Sequence, residues 1–113
     1  DVYNFGQMKR DFTYIDDIVA GLRSAIDKPF PYEIFNLGNH RSENLMDFIH
    51  LIEEYSGQKA QINFQPIQPG DVPETYADIS TATEKLGFVP RTQIREGIKL
   101  FLDWYFEYYH IKK

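Results

Sequence analysis

The chain has no cysteine among its 113 residues. Disulfide bonds, cysteine-ligated zinc and thiol catalysis are therefore excluded, and the absence fits a reducing compartment. The chain also has no apolar run of 18 residues and no charged-then-apolar segment at its start. We therefore expect a cytoplasmic protein that has neither an export signal nor a membrane partner.

The net charge of the chain is also small. The chain carries 12 basic and 17 acidic residues, a net charge of −5 that is spread along the sequence. This mild acidity argues against nucleic acid as the main partner, because nucleic-acid-binding domains carry a basic patch. The three histidines show no metal-ligand spacing, so no metal site is expected. They are His40, His50 and His110.

Apolar and aromatic residues are plentiful instead. They make up 42% and 16% of the chain, which is typical of a globular domain rather than a disordered segment. A single domain of this length buries roughly 65% of the surface that its unfolded chain exposes. The chain starts at Asp1 and its first methionine is Met8, so we expect an engineered boundary or an interior fragment.

Helical spacing of apolar residues predicts four helices, each with a capping side chain before it. The predicted caps are Asp16, Ser42, Asp78 and Thr92. The first helix ends near Asp27, and Gly57 and Gly87 are the expected left-handed stops of the second and third. The predicted stripe of the last helix is Ile94, Ile98, Phe101, Tyr105 and Tyr108.

Short extended segments fill the space between these helices. The predicted ones are Val2–Asn4, Phe12–Ile15, a buried strand Tyr32–Leu37, and Ala60–Gln65. Residues 66–78 contain three prolines and a glycine, which predicts a loop. Long loops inside compact domains are often functional, so this one is the first place to seek a site. The whole chain is expected to form one compact α/β unit.

Two stretches carry a family resemblance, KRDFTYIDD at residues 9–17 and QPGDVPETYAD at residues 68–78. Together they resemble the NAD-dependent epimerase/dehydratase family of extended short-chain dehydrogenases/reductases, with the UDP-glucuronate 4-epimerases as the nearest branch. The resemblance covers nearly the whole chain. It implies that residues 1–113 are the small C-terminal nucleotide-sugar-binding domain of a larger enzyme, with short strands, about four helices and the Rossmann domain absent.

The resemblance implies four substrate-binding residues. Arg10 corresponds to an arginine that contacts the diphosphate, a role that suits a planar, permanently charged guanidinium. Asp71 matches an aspartate that binds the ribose hydroxyls, and Thr75 matches a position that lines the sugar pocket. Gln68 stands where many relatives carry a phosphate-binding arginine, and its neutral amide can still donate a hydrogen bond.

Plainer structural interpretations exist for these and other residues. Taken alone, Arg10 fits a solvated surface arginine paired with Asp11 or another acid, and Thr75 fits a turn residue. Asp16 and Asp17 resemble helix-start acids more than a catalytic pair. The aromatic tail lacks a basic groove, so we expect its exposed rings to face a missing domain rather than nucleotide bases. The tail comprises Trp104, Tyr105, Phe106, Tyr108 and Tyr109.

The family's catalytic parts are not expected in this chain. No glycines are spaced as a dinucleotide-binding turn requires, so NAD is expected only in the parent enzyme. The family also uses a Tyr-x-x-x-Lys pair on one helix. Three pairs match this spacing, but a helix stop or a fraying terminus makes each unsuitable, and none is predicted to be catalytic. They are Tyr55 with Lys59, Tyr108 with Lys112, and Tyr109 with Lys113.

The resemblance therefore implies the UDP-sugar-binding portion of an NAD-dependent epimerase, inactive alone, whose partner is the N-terminal Rossmann domain of a homodimeric parent. Three alternatives stay open. The chain is a fragment of a nucleotide-sugar 4,6-dehydratase or decarboxylase, a stand-alone nucleotide-sugar-binding module, or an interaction domain with a vestigial pocket.

Overall fold

The computed structural model describes residues 1–112, which form four helices around a minimal sheet. The two strands are β1, Lys9–Arg10, and β2, Glu43–Asn44, and a 3-10 helix covers Tyr3–Gly6. The predicted fold class, with short strands and about four helices, is confirmed. The helices are α1, Ile15–Asp27; α2, Leu45–Ser56; α3, Ser80–Leu86; and α4, Ile94–Tyr108.

Strand β1 lies between two partners. On one side it pairs antiparallel with β2, with Lys9 opposite Asn44 and Arg10 opposite Glu43. On the other side Lys9 forms a parallel bridge with Glu74. The Lys9 N–H donates to the Pro73 carbonyl at 2.8 Å, and the Lys9 carbonyl accepts from the Thr75 N–H at 3.2 Å. The 66–78 loop is thereby fastened alongside β1.

The buried residues form two clusters. The α3 core consists of Ile79, Ala82, Leu86 and Phe88, and it packs against partly buried side chains of α1 and of segment 35–37. The α2–α4 core consists of Leu51, Ile98 and Leu102, with Phe48, Ile52, Tyr55, Ile94 and Phe106 around them. Burying aliphatic side chains of this size is the main stabilising term of such small domains.

Three of the predicted helix caps are wrong. Ser42 precedes α2 by three residues, since residues 43–44 pair with β1. Thr92 does not cap α4, because Gln93 occupies the N-cap position, and the Thr92 N–H donates to an Asp17 carboxylate oxygen at 2.9 Å. Asp16 lies inside the first turn of α1 rather than before it.

The predicted helix ends are confirmed. The N-cap residue of α3 is Ile79 rather than the predicted Asp78, but the Asp78 carboxylate accepts a hydrogen bond from the Ser80 N–H at 3.0 Å, where α3 begins. Helix α1 ends at Asp27. Gly57 and Gly87 end α2 and α3 with left-handed φ values of 71° and 68°. These φ values suit glycine, which has no Cβ to clash with the preceding turn.

Most of the predicted strands are wrong. Val2 and Phe64 form a single parallel bridge, and the backbone then turns into the 3-10 helix, with positive φ at Asn4 and Phe5. Residues 12–14 form no strand, and Ile15 already belongs to α1. Segment 32–37 forms no strand, because no neighbouring segment among residues 1–112 pairs with it. It is only partly buried, since Phe35 and Leu37 pack on the α3 core whereas Tyr32 is 83% exposed.

The predicted stripe of α4 is confirmed for Ile94 and Ile98 and differs from the apolar face beyond them. Leu102 and Phe106 pack in the α2–α4 core, whereas Phe101, Tyr105 and Tyr108 lie largely at the surface. The two sets are one residue out of register, a shift that helical spacing alone does not distinguish. Over the described part of the chain, no helix is long and apolar enough to cross a membrane.

The helix bounds also agree with the rejection of the Tyr-x-x-x-Lys pairs. Helix α2 ends at Ser56, between Tyr55 and Lys59, and α4 ends at Tyr108, before Lys112. In neither pair do both residues share a helix. Lys113 lies outside the described residues.

Candidate functional site

Arg10 and Asp71, 61 residues apart in sequence, form an ion pair at the end of β1. The Arg10 Nη2 donates to the Asp71 Oδ1 at 2.8 Å, and the Arg10 Nη1 donates to the Lys9 carbonyl at 2.8 Å. The two side chains are 26% and 34% exposed. A guanidinium and a carboxylate are thus held together at the surface, where an incoming ligand can reach both.

A tight turn fixes the position of Asp71. The Asp71 N–H donates to the Gln68 carbonyl at 3.1 Å, and Gly70 between them has a left-handed φ of 84°. The Val72 N–H then donates to the same Asp71 Oδ1 that Arg10 contacts, at 2.9 Å. Gln68 is exposed and stabilises this turn through its backbone carbonyl.

Thr75 lies where the loop runs beside β1. Its hydroxyl oxygen accepts a hydrogen bond from the Asp11 N–H at 3.1 Å. Thr75 also lines a cavity of about 460 Å³ between the loop and segment 35–38. The cavity is lined by Asp11, Thr13, Phe35, Asn36, Leu37, Gly38, Thr75, Tyr76, Ala77 and Asp78.

The structure therefore brings all four predicted binding residues onto one strand-and-loop unit. Arg10 and Asp71 are in contact, Gln68 forms the adjoining turn, and Thr75 lies further along the same loop. Their binding roles stay predictions. The geometry offers a cation, a carboxylate and a hydroxyl within one surface region, which suits recognition of phosphate and hydroxyl groups.

Asp11 joins the two walls of the cavity, and the motif alone did not indicate this role. Its Oδ1 accepts from the Asn39 N–H at 2.9 Å, and its Oδ2 accepts from the Ala77 N–H at 3.0 Å. The plainer interpretation of Arg10 named Asp11 or another acid as its partner, and the partner is Asp71. Asp17 is buried and bonds the Thr92 N–H instead, so the nearby acids do not share one site.

His40 and Tyr76 form a second contact that the sequence analysis missed. The His40 Nδ1 lies 2.9 Å from the Ala77 carbonyl oxygen, and its Nε2 lies 3.0 Å from the Tyr76 hydroxyl. A carbonyl oxygen only accepts, so Nδ1 donates to it, and Nε2 and the Tyr76 hydroxyl share the second hydrogen bond. The pair fixes the Tyr76 side chain, which neighbours Thr75. No local signal predicts it, because the residues are 36 positions apart.

Asp78 closes the cavity beside these residues. Its Oδ1 accepts from the Ser80 hydroxyl at 2.6 Å and from the Ser80 N–H at 3.0 Å. These hydrogen bonds lower the pKa of the Asp78 carboxyl below its ordinary value. The group is therefore ionised at neutral pH, and a stored proton for acid catalysis is not expected at this position.

A second cavity of about 460 Å³ lies between α1, α2 and α4 and has an apolar wall. Phe12 and Phe48 stack there with ring centroids 4.2 Å apart. Burial, followed by the nearby Asp16 and Glu96 carboxylates, raises the pKa of Tyr14 at its edge. None of the four predicted binding residues lines this cavity.

The described residues do not fit a dinucleotide or a metal. The connection from β1 to α1, residues 11–14, contains no glycine, whereas a pyrophosphate-binding turn needs glycine for close backbone approach. Within residues 1–112 no group of three or more histidine or acidic side chains is arranged to hold a metal ion. We therefore derive no chemical step through NAD from these residues.

Known proteins resemble this chain along nearly its whole length. A family model described as GDP-mannose 4,6 dehydratase matches residues 2–101. An uncharacterized protein of Methanocaldococcus jannaschii is 53% identical over 95% of this chain and 33% of its own length. UDP-glucuronate 4-epimerase 4 of Arabidopsis thaliana is 38% identical over 94% of this chain and 28% of its own length.

Solved structures agree with these relatives. The UDP-glucuronic acid 4-epimerase of Bacillus cereus, in complex with UDP-glucuronic acid and NAD, superimposes with a TM-score of 0.85 and 32% identity. That match covers 96% of this chain and 35% of the epimerase chain. The present chain spans about a third of the length of these relatives.

The fold and the family model together define the class of protein as an extended short-chain dehydrogenase/reductase. The chain belongs to the GDP-mannose 4,6-dehydratase family, and it corresponds to the C-terminal part of an extended short-chain dehydrogenase/reductase.

Proposed function

We propose that this chain is the nucleotide-sugar-binding domain of an NAD-dependent nucleotide-sugar 4-epimerase that acts on UDP-glucuronate. The observation that carries the proposal is the Arg10–Asp71 contact of 2.8 Å at the surface, on the same loop as Thr75. The likeness to UDP-glucuronate 4-epimerases supports it.

Arg10 is assigned to the diphosphate and Asp71 to the ribose. Arg10 donates one N–H from Nη1 to the Lys9 carbonyl and one from Nη2 to Asp71. The guanidinium has further N–H groups that can bind phosphate oxygens. Both bonds to the Asp71 carboxylate go to Oδ1. Its Oδ2 can therefore accept hydrogen bonds from sugar hydroxyls.

Thr75 and Gln68 are assigned to the edges of the substrate. The Thr75 oxygen already accepts from the Asp11 N–H, so its own proton can be donated to a sugar carboxylate. Gln68 is exposed beside Asp71, and its neutral amide can donate to a phosphate oxygen without adding charge.

Hydride and proton transfer are assigned to the rest of the parent enzyme, which would hold NAD in an N-terminal Rossmann domain and form a homodimer. The contribution of this chain is to bind and orient the UDP-sugar. The outer face of α1 supports such a domain partner. Val19, Leu22 and Ile26 there are 53%, 53% and 75% exposed, and large exposed apolar surfaces mark interfaces.

A second candidate is a dehydratase acting on a guanosine-linked sugar, because the matching family model is described as GDP-mannose 4,6 dehydratase. The two candidates differ in the nucleotide that the chain binds. Titrating the 113-residue chain with UDP and with GDP separates them: tighter binding of UDP favours the epimerase, and tighter binding of GDP favours the dehydratase.

Replacing Arg10 tests the proposed function directly. We expect Arg10→Gln to weaken UDP binding by about 10- to 100-fold, the range for a lost charged hydrogen bond. The measurement is an NMR titration that follows the amide signals of residues 10 and 71. Arg23→Gln is the matched control, since Arg23 forms an exposed ion pair with Asp27 within α1.

Two results would contradict the proposal. The first is a wild-type chain that shows no saturable shifts with either nucleotide. The second is equal UDP affinity of the Arg10 and Arg23 variants, which would remove Arg10 from the site.

A further inference from the structure

The face of the sheet that bears Arg10 carries a second arginine. Arg10 and Glu43 are directly opposite each other in the antiparallel register, so their side chains project from the same face. The Glu43 Oε1 lies 3.1 Å from the Arg41 Nε. Glu43 therefore holds the Arg41 guanidinium on the Arg10 side of the sheet.

The two ion pairs on this face leave binding groups accessible. Arg41 contacts Glu43 through Nε, so its two terminal NH₂ groups are left for other acceptors, and its side chain is 60% exposed. Arg10 uses one N–H on each terminal nitrogen. Two guanidiniums thus present donors to the same solvent region, each with its own carboxylate partner.

The two phosphates of a nucleoside diphosphate favour two arginines over one. Each phosphate offers oxygens that a guanidinium can grip with two parallel bonds. Each arginine on this face is already paired with a carboxylate, Arg10 with Asp71 and Arg41 with Glu43. The second arginine therefore adds N–H donors for a second phosphate rather than net positive charge.

The backbone before Arg41 is held rigidly. The Asn39 N–H donates to the Asp11 carboxylate at 2.9 Å, and the His40 ring bonds the Ala77 carbonyl at 2.9 Å. Binding would therefore order only the Arg41 side chain and not the segment that carries it, which lowers the entropic cost.

The other nearby cation lies on the wrong side. Lys9 is paired with Asn44, one position along the register, so its side chain projects from the opposite face of the sheet. Two further arginines are engaged on helices, Arg23 with Asp27 and Arg95 with Glu54. Arg41 is the arginine that Glu43 holds on the same face of the sheet as Arg10.

We propose that Arg41 is a second diphosphate-binding residue, which contacts the phosphate distal to the nucleoside while Arg10 contacts the other, and that Glu43 is its positioning residue. This inference rests on the proposed function of the Arg10–Asp71 site, and it adds a ligand contact to that site from segment 38–44.

The test compares UDP with UMP, which has a single phosphate, in calorimetric titrations of the 113-residue chain. We expect Arg41→Gln to weaken UDP binding by about 3- to 10-fold, because the side chain is more exposed than Arg10. UMP affinity should change less than 2-fold. Arg23→Gln is the control for loss of a surface charge, and urea unfolding verifies that the Arg41 variant keeps its stability.

The outcomes separate this inference from the proposed function. If Arg10→Gln weakens UDP binding and Arg41→Gln does not, the inference is overturned and the proposed function stands. Equal losses for UDP and UMP also overturn it, since they indicate a general charge effect. If the wild-type chain binds no UDP, both fail. A selective loss for UDP supports the inference.

Discussion

The α2–α4 core and the outer face of α1 have similar sequence patterns but different surroundings. Leu51, Ile98 and Leu102 are each at most 8% exposed, because both helices that contribute them belong to this chain. On α1, Leu22 and Ile26 repeat at the same spacing yet are mostly exposed. Helical periodicity therefore predicts that an apolar face exists, but not what covers it.

Helix α1 also packs on its neighbours differently from α2 and α4. Its buried residues are Gly21 and Asp17 rather than large apolar ones. A Cβ added at Gly21 would lie 2.8 Å from a methyl carbon of Leu37 and 3.1 Å from the Phe88 ring. Close approach through glycine thus joins α1 to the α3 core, while Leu22 and Ile26 face outward.

The largest expected effect separates these two faces. We expect Leu102→Ala to lower the free energy of unfolding by about 2–5 kcal/mol, the cost of losing buried methyl groups and leaving a cavity. Leu22→Ala on the exposed face of α1 should cost less than about 1 kcal/mol, because that side chain is already in contact with water. Urea unfolding of the 113-residue chain measures both.

Similar losses from the two variants would break the comparison. They would mean that the outer face of α1 is covered in solution, for instance by a second copy of the chain. Repeating the unfolding at several protein concentrations distinguishes the cases, since only an associated chain gains stability with concentration.

A smaller effect is expected where the 66–78 loop meets segment 35–38. A Cβ at Gly38 would lie 2.4 Å from the Ala77 Cβ and 3.1 Å from the Asp11 Oδ2. Gly38→Ala must therefore separate the two walls of the cavity, and we expect a loss of about 1–3 kcal/mol in unfolding free energy. The measurement is again urea unfolding, with NMR shifts at residues 11 and 77 as the local report.

Gly97→Ala is the matched control for this substitution. Gly97 lies inside α4, and its added Cβ would meet Tyr14 at an ordinary contact distance of 3.4 Å. Alanine favours a helix interior over glycine by up to about 1 kcal/mol, so this variant should be neutral or more stable. Equal destabilisation by both variants would show that the contact between Gly38 and Ala77 has no special importance.

Much of the fold was predictable from local sequence signals. The left-handed stops at Gly57 and Gly87 and the helix start at Asp78 depend on residues within a few positions of each other. The composition of residues 66–78 also predicted the proline-rich loop. Such features need no knowledge of distant contacts.

The remaining elements depended on long-range contacts that no local pattern encodes. Ser42 failed as a cap because residues 43–44 pair with β1, more than 30 positions earlier in the chain. Segment 32–37 has strand-like composition, yet a strand forms only where a neighbour pairs with its backbone. The family resemblance indicated Arg10 and Asp71 separately, and only the fold shows that they touch.

The smallest expected effect concerns the acid sensitivity of α2, which packs on α4 within this chain. The Ala60 N–H donates to the Glu53 Oε1 at 2.8 Å, and the Lys59 Nζ donates to its Oε2 at 3.2 Å. These bonds, the backbone one foremost, lower the pKa of Glu53 from its ordinary value of 4.5. They tie the chain that follows α2 back onto that helix.

The sign of the pH dependence follows from linkage. A carboxyl whose pKa is lower in the folded chain stabilises it above the unfolded pKa, and that contribution disappears as pH falls through the folded value. We therefore expect the unfolding free energy of Glu53→Gln to fall less steeply than that of wild type between about pH 5 and pH 3. Glu84→Gln removes the same charge from an exposed position of α3 and serves as the control. Urea unfolding across this range measures the slopes, and parallel curves for wild type and Glu53→Gln would show that these bonds do not contribute to stability.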